Sequence, residues 1–327
     1  MSHKAIEIEH LGKVYGSTVA IEDIHFSVDA GEIIGLIGPN GAGKTTTMRI
    51  LAGYLRATAG TAMIAGYDVH RHSMQVRRRI GYLPEIAPLY LDMSVKQYLH
   101  FVAKIKGVKA KDRRRQVYDA MMRCQLIERK NTIIRKLSKG YRQRVGIAQA
   151  IVHQPPVIIL DEPTVGLDPR QIIEVRNLIK SLAGEHTVIV STHILPEANT
   201  ICDRVVIIDR GKVVTIDTPT NLKTQLEVSC GYEIEVSGDI KTILPLLPKV
   251  SGILSAILSD SIADNSKRHI LKITYKSMTE PGKDIARLIV EHGLELHELR
   301  RIRLSLEDVF LELTTEELSK IKIDNVQ

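Results

Sequence analysis

The sequence predicts an α/β protein. It has a largely parallel sheet with helices on its faces, interrupted by a helical subdomain and followed by a smaller α+β unit. Three observations carry this reading. Short apolar runs of strand length, such as 157–160 (VIIL) and 205–208 (VVII), alternate with segments of helical period. One strand runs directly into a glycine-rich loop and then a helix. From about 88 to 154 the alternation gives way to helical patterns alone.

Taken in order, residues 5–9 alternate apolar and polar, as do 24–28, and both read as strands. A turn at Asp29, Ala30 and Gly31 leads into a buried strand over 32–37. Residues 44–55 then take helical spacing. In the helical subdomain, 94–105, 113–127 and 138–152 read as helices, the first two with basic faces. The run Arg113, Arg114, Arg115 reads as a solvated helix face. Alternation resumes with a strand over 157–160. Asp168 and Pro169 open a helix, Asp as N-cap and Pro at the first helical position, where its missing N–H costs nothing. Strands follow over 187–191 and 204–209.

A second unit begins near residue 226. It reads as a strand over 232–236, a helix over 240–247, strands over 253–258 and 269–275, a helix over 281–292 and a strand over 294–302. A short helix over 306–313 follows, and 260–267 (DSIADNSK) reads as a polar hairpin loop. The order βαββαβ is that of a ferredoxin-like split βαβ unit. Domains are therefore expected over 1–225 and 226–327.

Composition narrows the function. A chain of 327 residues, 44% hydrophobic and 25% charged, is globular and long enough to bury a sizeable core. No apolar run approaches the roughly 20 residues a membrane helix needs, so a membrane role would come through a partner. The opening MSHKAIEIEH lacks the apolar centre of a signal peptide. Cys124, Cys202 and Cys230 form no CxxC pair, which argues against a disulfide framework or a zinc site and fits a reducing cytoplasm. The net charge of +7 suits nucleic acid, an anionic membrane surface or nucleotide phosphates. With no Trp and 4% aromatics, stacking platforms for single-stranded nucleic acid are scarce.

The chemistry is concentrated in two places. Gly38, Pro39, Asn40, Gly41, Ala42, Gly43, Lys44 and Thr45 fit G-x-x-x-x-G-K-[ST] between a strand and a helix, with Thr46 next. Glycines let the backbone wrap a phosphate with its N–H groups inward, and the helix N-terminus adds partial positive charge. Lys44 would hold the β- and γ-phosphates, and Thr45 would give its hydroxyl oxygen to Mg²⁺. Far along the chain, the strand ending Asp161, Glu162 delivers two carboxylates at its C-terminal end, where open α/β sheets bind ligands. Asp161 suits Mg²⁺ through water, and Glu162 suits the general base that polarises an attacking water.

These two elements resemble Walker A and Walker B of the ABC ATPases, a group of P-loop NTPases. Residues 137–144 (LSKGYRQR) between them resemble the ABC signature motif. Gly166, Leu167 and Asp168 look like the D-loop, Thr192 and His193 like the switch histidine, and Tyr15 sits where the family places an aromatic ring against adenine. Order and spacing agree over about residues 4–220. The resemblance implies an ABC ATPase core with an antiparallel β-subdomain and a helical subdomain. It implies that Ser138 and Gly140 meet the γ-phosphate held by a second copy, in a head-to-tail homodimer with two composite ATP sites. His193 would contact the γ-phosphate and orient the water or Glu162. The protein would then be an ATP-hydrolysing subunit at the cytoplasmic face of the membrane, powering a separate transmembrane permease. Nucleic acid is an unlikely partner, since relatives of that kind carry paired ATPase domains, coiled coils or zinc modules. The second unit resembles the accessory domain of ABC-2-type subunits for drug or antibiotic export and gliding motility, and 305–313 (SLEDVFLEL) looks like their tail. Export is the implied direction.

Three positions depart from the family pattern. Glu85 stands where a glutamine is usual. Glutamate accepts but cannot donate when ionised, so it can ligate Mg²⁺ yet repels the γ-phosphate. Lys139 replaces a glycine of the signature and either adds positive charge near the phosphate or faces solvent. Tyr141 replaces a glutamine.

Overall fold

In the computed structural model of the chain, the described residues are 4–222, 229–261, 268–276 and 280–303. They divide into two units, Met1–Pro219 and Thr220–Gln327. The sequence reading sets the division a few residues later, at 225/226.

The first unit is built on a sheet whose central strands are apolar along most of their length. β3 (Ile33–Ile37), β7 (Val157–Asp161) and β8 (Thr187–Thr192) are buried along their whole length. Such runs, buried on both faces, are what a parallel sheet covered by helices requires. With β6 (Ile80–Leu83), β9 (Arg204–Asp209) and β10 (Lys212–Asp217) they form a six-stranded sheet in the order β10-β9-β3-β8-β7-β6. All neighbours are parallel except β9 and β10. The C-terminal ends of β3, β7 and β8 are therefore side by side, and each leads into a loop carrying a predicted site residue.

A second sheet is antiparallel, in the order β2-β1-β4-β5, from β1 (Lys4–Tyr15), β2 (Thr18–Asp29), β4 (Ala59–Ile64) and β5 (Tyr67–Asp68). Ile6, Ile8, Phe26, Val28 and Ile64 from this sheet share one core with Ile34, Leu36, Ile159 and Val206 from the parallel sheet. α1 (Lys44–Leu51) adds Met48, Ile50 and Leu51 to that core. Each fully buried Ile or Leu contributes roughly 2 kcal/mol, so α1 is held by packing more than by helix propensity. It ends at Leu51, sooner than the spacing over 44–55 predicts. Gly53 turns left-handed at φ 70°, and the N–H groups of Tyr54 and Leu55 fold back onto the Arg49 carbonyl.

The helical subdomain contains α3 (Val95–Ile105), α4 (Ala110–Arg123) and α5 (Lys139–Ile151), preceded in the chain by α2 (Ser73–Arg79). α3 starts with a capping box, Ser94 and Gln97 each satisfying the other's backbone N–H. α4 begins and ends before the predicted 113–127; Gln125 at φ 55° closes it. α6 (Pro169–Lys180) starts as predicted, with the Asp168 side chain accepting from Gln171 N–H at 2.9 Å. α7 (Leu195–Ile201) follows β8 and presses Cys202 and Ala198 against β3. A Cβ at Gly35 would lie 2.9 Å from Cys202 Sγ, which fixes glycine there. Among the described residues no helix is long and apolar enough to cross a membrane.

The second unit is a four-stranded antiparallel sheet, β12-β13-β11-β14, from β11 (Ser229–Ser237), β12 (Ile253–Ser261), β13 (Arg268–Lys276) and β14 (Glu295–Arg303), with α8 (Gly282–Glu291) between the last two in sequence. The first and third strands in chain order are central. Ile234, Val236, Leu271, Ile273, Ile285 and Ile289 form its core. The helix predicted over 240–247 does not form. Its place is taken by two short 3₁₀ turns, Ile240–Thr242 and Leu247–Lys249. Pro245 and Pro248 remove the N–H groups an α-helix would need and restrict the residues before them. Most of the predicted loop over 260–267, and the predicted helix and tail over 305–313, lie outside the described residues.

Candidate functional site

The parallel sheet brings the phosphate loop, the acidic strand end and the switch histidine to one edge. Asn40, Gly41, Gly43, Lys44, Thr45, Thr46, Glu85, Glu162 and His193 line a single cleft of about 400 Å³. Two glycines of the loop are forced by close approach. A Cβ at Gly38 would meet the Ile208 carbonyl at 2.3 Å, and one at Gly43, already at φ 105°, would meet Ile21 Cγ2 at 2.5 Å. Ala42 is buried behind the loop, and its carbonyl accepts from Gly211 N–H at 3.0 Å. The predicted residues Gly38, Pro39 and Ala42 thus shape the loop from behind, while the other loop residues face the cleft.

Lys44 is buried, with 5% of its surface exposed. Its ammonium donates to the carbonyls of Gly38 at 2.8 Å and Pro39 at 3.1 Å and lies 3.4 Å from Glu162 Oε1. A buried ammonium so placed is fixed in position yet still faces the cleft as a point charge. Glu162 is itself buried, and its backbone is left-handed at φ 47°, a conformation that costs a non-glycine residue of order 1–3 kcal/mol. The surroundings hold it there: its N–H donates to Ser191 Oγ at 2.9 Å, and its other carboxyl oxygen meets His193 Nδ1 at 2.9 Å. When Nδ1 donates to the carboxylate, Nε2 of a neutral ring is an acceptor, suited to a water proton. Toward a phosphate oxygen Nε2 donates only as imidazolium.

Asp161 has one oxygen satisfied and one not. Oδ1 accepts from Ser191 Oγ at 2.6 Å and from Thr45 Oγ1 at 3.3 Å. Oδ2 is buried without a hydrogen-bond partner. An orphaned carboxylate oxygen beside a threonine hydroxyl fits a hard divalent cation. Among the described residues no group of three or more His, Cys, Asp or Glu could hold a metal alone. The donor set therefore suits Mg²⁺ shared with phosphate oxygens and water. Asp161 also helps burial push the nearby Tyr82 phenol up to about 12. Glu85 is exposed and lines the cleft, where it can reach an incoming phosphate or cation.

Three predicted residues lie elsewhere. Tyr15 is exposed at the end of β1, outside the cleft lining, with the Lys13 ammonium 5.1 Å from its ring centroid. Ser138 caps α5, its hydroxyl accepting from Tyr141 N–H at 3.4 Å. Gly140 lines a different cleft, with Tyr141, Arg144, Asp168 and Gln171. A Cβ at Gly140 would lie within 2.8 Å of the Gln171 amide, so a side chain there would have to displace that amide. Lys139 is exposed and lays its ammonium over Gly166, where a Cβ would sit. The guanidinium groups of Arg129 and Arg144 lie 5.4 and 5.7 Å from the Tyr141 ring centroid.

Sequence reasoning missed Ser191, which joins Asp161 to the backbone of Glu162. Its signal is a polar residue at the end of an apolar strand, immediately before Thr192 and His193.

Comparison with known proteins shows the family. The ABC transporter family matches residues 21–165. The chain is 32% identical over 322 residues to the daunorubicin resistance ATP-binding protein DrrA3 of Streptomyces coeruleorubidus, covering 97% of this chain and 98% of that protein. It is 33% identical over 310 residues to the bacitracin transport ATP-binding protein BcrA of Bacillus licheniformis, covering 94% and 96%. Among solved structures it is similar to an ATP-binding subunit of an ABC transporter, at 32% identity and TM-score 0.62 over 68% of this chain and 92% of that one. It is also similar to a dimeric bacterial ABC transporter cassette, at 25% identity and TM-score 0.60 over 65% and 98%. The chain belongs to the ABC transporter ATP-binding proteins and is the ATP-hydrolysing subunit that powers a transporter.

Proposed function

We propose that the protein hydrolyses MgATP at two composite sites of a head-to-tail homodimer and drives a separate membrane permease in the direction of export. The supporting observation is a separation. The cleft holding Lys44, Thr45, Glu162 and His193 contains no residue of α5, while Ser138 and Gly140 sit at the start of α5 in another part of the same unit. An anion-binding helix start with no phosphate site of its own fits one that completes the site of a second copy.

Within one site the roles follow from the contacts. The loop N–H groups and Lys44 bind the β- and γ-phosphates. Thr45 and Asp161 would hold Mg²⁺ together with the nucleotide, and the ion would neutralise negative charge on the phosphates. Glu162 accepts a proton from the attacking water, and His193 fixes the carboxyl that does so. Tyr15, exposed on β1, offers a face for adenine. Glu85 faces the phosphates as an acceptor and a further candidate ligand of the metal. The second unit, 226–327 by the sequence reading, is an accessory domain. The permease would place the chain at the cytoplasmic face of the membrane and would contact the stretch 85–98 and the helical subdomain. Ile86, Tyr90 and Leu91 are exposed there. The drug and antibiotic relatives favour export of a comparable small molecule.

The test is reconstitution of the chain with its co-purified permease in vesicles, adding MgATP to the face that carries the chain. ATP-dependent movement of a drug-like cargo away from that face is expected. Hydrolysis without movement of any candidate would remove the transport assignment. ATP-induced dimerisation that survives Ser138→Arg would remove the composite site.

A further inference from the structure

One buried carboxyl group in the first unit has no place in the roles above. Glu197, in the first turn of α7, is 2% exposed. Its Oε2 accepts from Thr164 Oγ1 at 2.6 Å and from Thr192 Oγ1 at 3.3 Å, and its Oε1 accepts from Arg176 Nη2 at 2.8 Å. Each partner belongs to a different part of the catalytic edge. Thr164 is two residues past Glu162. Thr192 directly precedes His193, and its hydroxyl also accepts from Ile194 N–H at 3.0 Å, so it shapes the turn that carries the imidazole. Arg176 is on α6, the helix that leaves the 166–168 loop.

We infer that Glu197 is a positioning residue for ATP hydrolysis, clasping the Glu162 loop to the His193 loop so that base and histidine meet. The inference rests on the reading of Glu162 and His193 given above. Thr164 and Thr192 are drawn to a single oxygen atom, which fixes the distance between two loops that are also joined by the Glu162–His193 contact and by Ser191, which accepts from the Glu162 N–H and donates to Asp161. Glu162 needs such support because its left-handed backbone favours relaxation to another conformation. Arg176 supplies the opposing charge that lets a carboxylate be buried. Its Nε is buried without a hydrogen-bond partner, while its Nη2 makes the ion pair to Glu197. An anchor for α7 alone would need neither threonine.

The experiment uses the full-length chain and compares Glu197→Gln, Thr164→Val and His193→Ala, singly and with each of the first two combined with His193→Ala. ATPase kcat and KM, and the melting temperature, are measured for each. Glu197→Gln is expected to lower kcat about tenfold and Thr164→Val about threefold, with KM within twofold of wild type. In the His193→Ala background both further losses should shrink to less than twofold, because groups acting through one another are not additive. A Glu197→Gln kcat within twofold of wild type overturns the proposal, as does a full multiplicative loss in the double variants. If Glu197→Gln does not fold, Thr164→Val decides by the same two criteria. His193→Ala at wild-type rate would instead sink the underlying reading of the site.

Discussion

Glu162→Gln is the most direct test of the site. The substitution keeps the size of the side chain and its ability to accept from His193 Nδ1, now 2.9 Å away, but removes the carboxylate that can take a proton. The left-handed backbone at φ 47° is no harder for glutamine than for glutamate. Lys44 loses a counter-charge at 3.4 Å but keeps its two carbonyl partners, so its ammonium is not stranded. Loss of general base catalysis is worth about 10²–10³ in kcat, or roughly 3–4 kcal/mol of transition-state stabilisation. Binding moves the other way. A negative charge leaves the cleft and Lys44 is freed for the γ-phosphate, so the Kd for ATP should stay the same or fall several-fold. The assay is single-turnover hydrolysis beside equilibrium binding of a fluorescent ATP analogue, with gel filtration to follow dimerisation. Turnover within threefold of wild type would remove Glu162 as the base. A Kd raised more than tenfold would mean that the carboxyl group serves binding instead.

Three further outcomes are expected. Ser191→Ala strands the buried Glu162 N–H and leaves Asp161 Oδ1 only its longer bond from Thr45 Oγ1, and should cost about 2 kcal/mol of stability by urea titration and at least tenfold in kcat; a loss confined to stability would make Ser191 a folding residue only. Glu85→Gln removes an acceptor charge from the cleft, and is expected to lower the KM for ATP two- to fivefold while raising the Mg²⁺ needed for half-maximal rate. Superimposable Mg²⁺ curves would take Glu85 off the metal. Burial, reinforced by the Lys106 charge, lowers the His153 imidazole to about 3, so its ring stays neutral in the fold while the unfolded chain protonates near 6.5. The unfolded state then binds more protons between those limits and stability falls with pH, by about 2 kcal/mol at pH 5 relative to 7.5. His153→Gln, whose longer amide can still donate toward the Ile80 carbonyl from the place of Nε2, should lose less on acidification; an equal loss refutes the assignment.

Much of the fold was legible because its signals are local. The strands at 33–37, 157–161 and 187–192 announce themselves by apolar runs of the right length, and α6 by its Asp-Pro start. What failed was the ends of elements and the short pieces. β4 and β5 are half exposed and carry Gly60 and Ala59 where a strand signal would want β-branched residues, so nothing local names them. β4 is a strand because β1 supplies the partner edge, and β5 because β4 supplies the next one. The missing helix over 240–247 is the opposite case. The apolar spacing is helical, but Pro245 within it and Pro248 just beyond it carry a stronger constraint than the spacing does.

In the site, legibility divides along a physical line. Groups proposed to touch nucleotide must be of a fixed chemical type at a fixed place in the chain, so Lys44, Thr45, Asp161 and Glu162 can be read from pattern and His193 from family resemblance, and the parallel sheet brings them to one edge. Groups that hold those residues need only supply a donor or acceptor from whichever element lies behind. Ser191 could be recognised only after β8 was known to lie beside β7, and the three partners of Glu197 come from sequence separations of 33, 21 and 5 residues. The strain at Glu162 has the same character. A left-handed glutamate carries no mark in the sequence, because the residue is chosen for its carboxyl group and the backbone conformation is imposed on it by neighbours in space. A carboxyl held against its own backbone preference keeps its aim only while those neighbours stay in place. The rate of hydrolysis should therefore depend as much on the hydroxyls of Thr164, Ser191 and Thr192 as on some residues that face the phosphates.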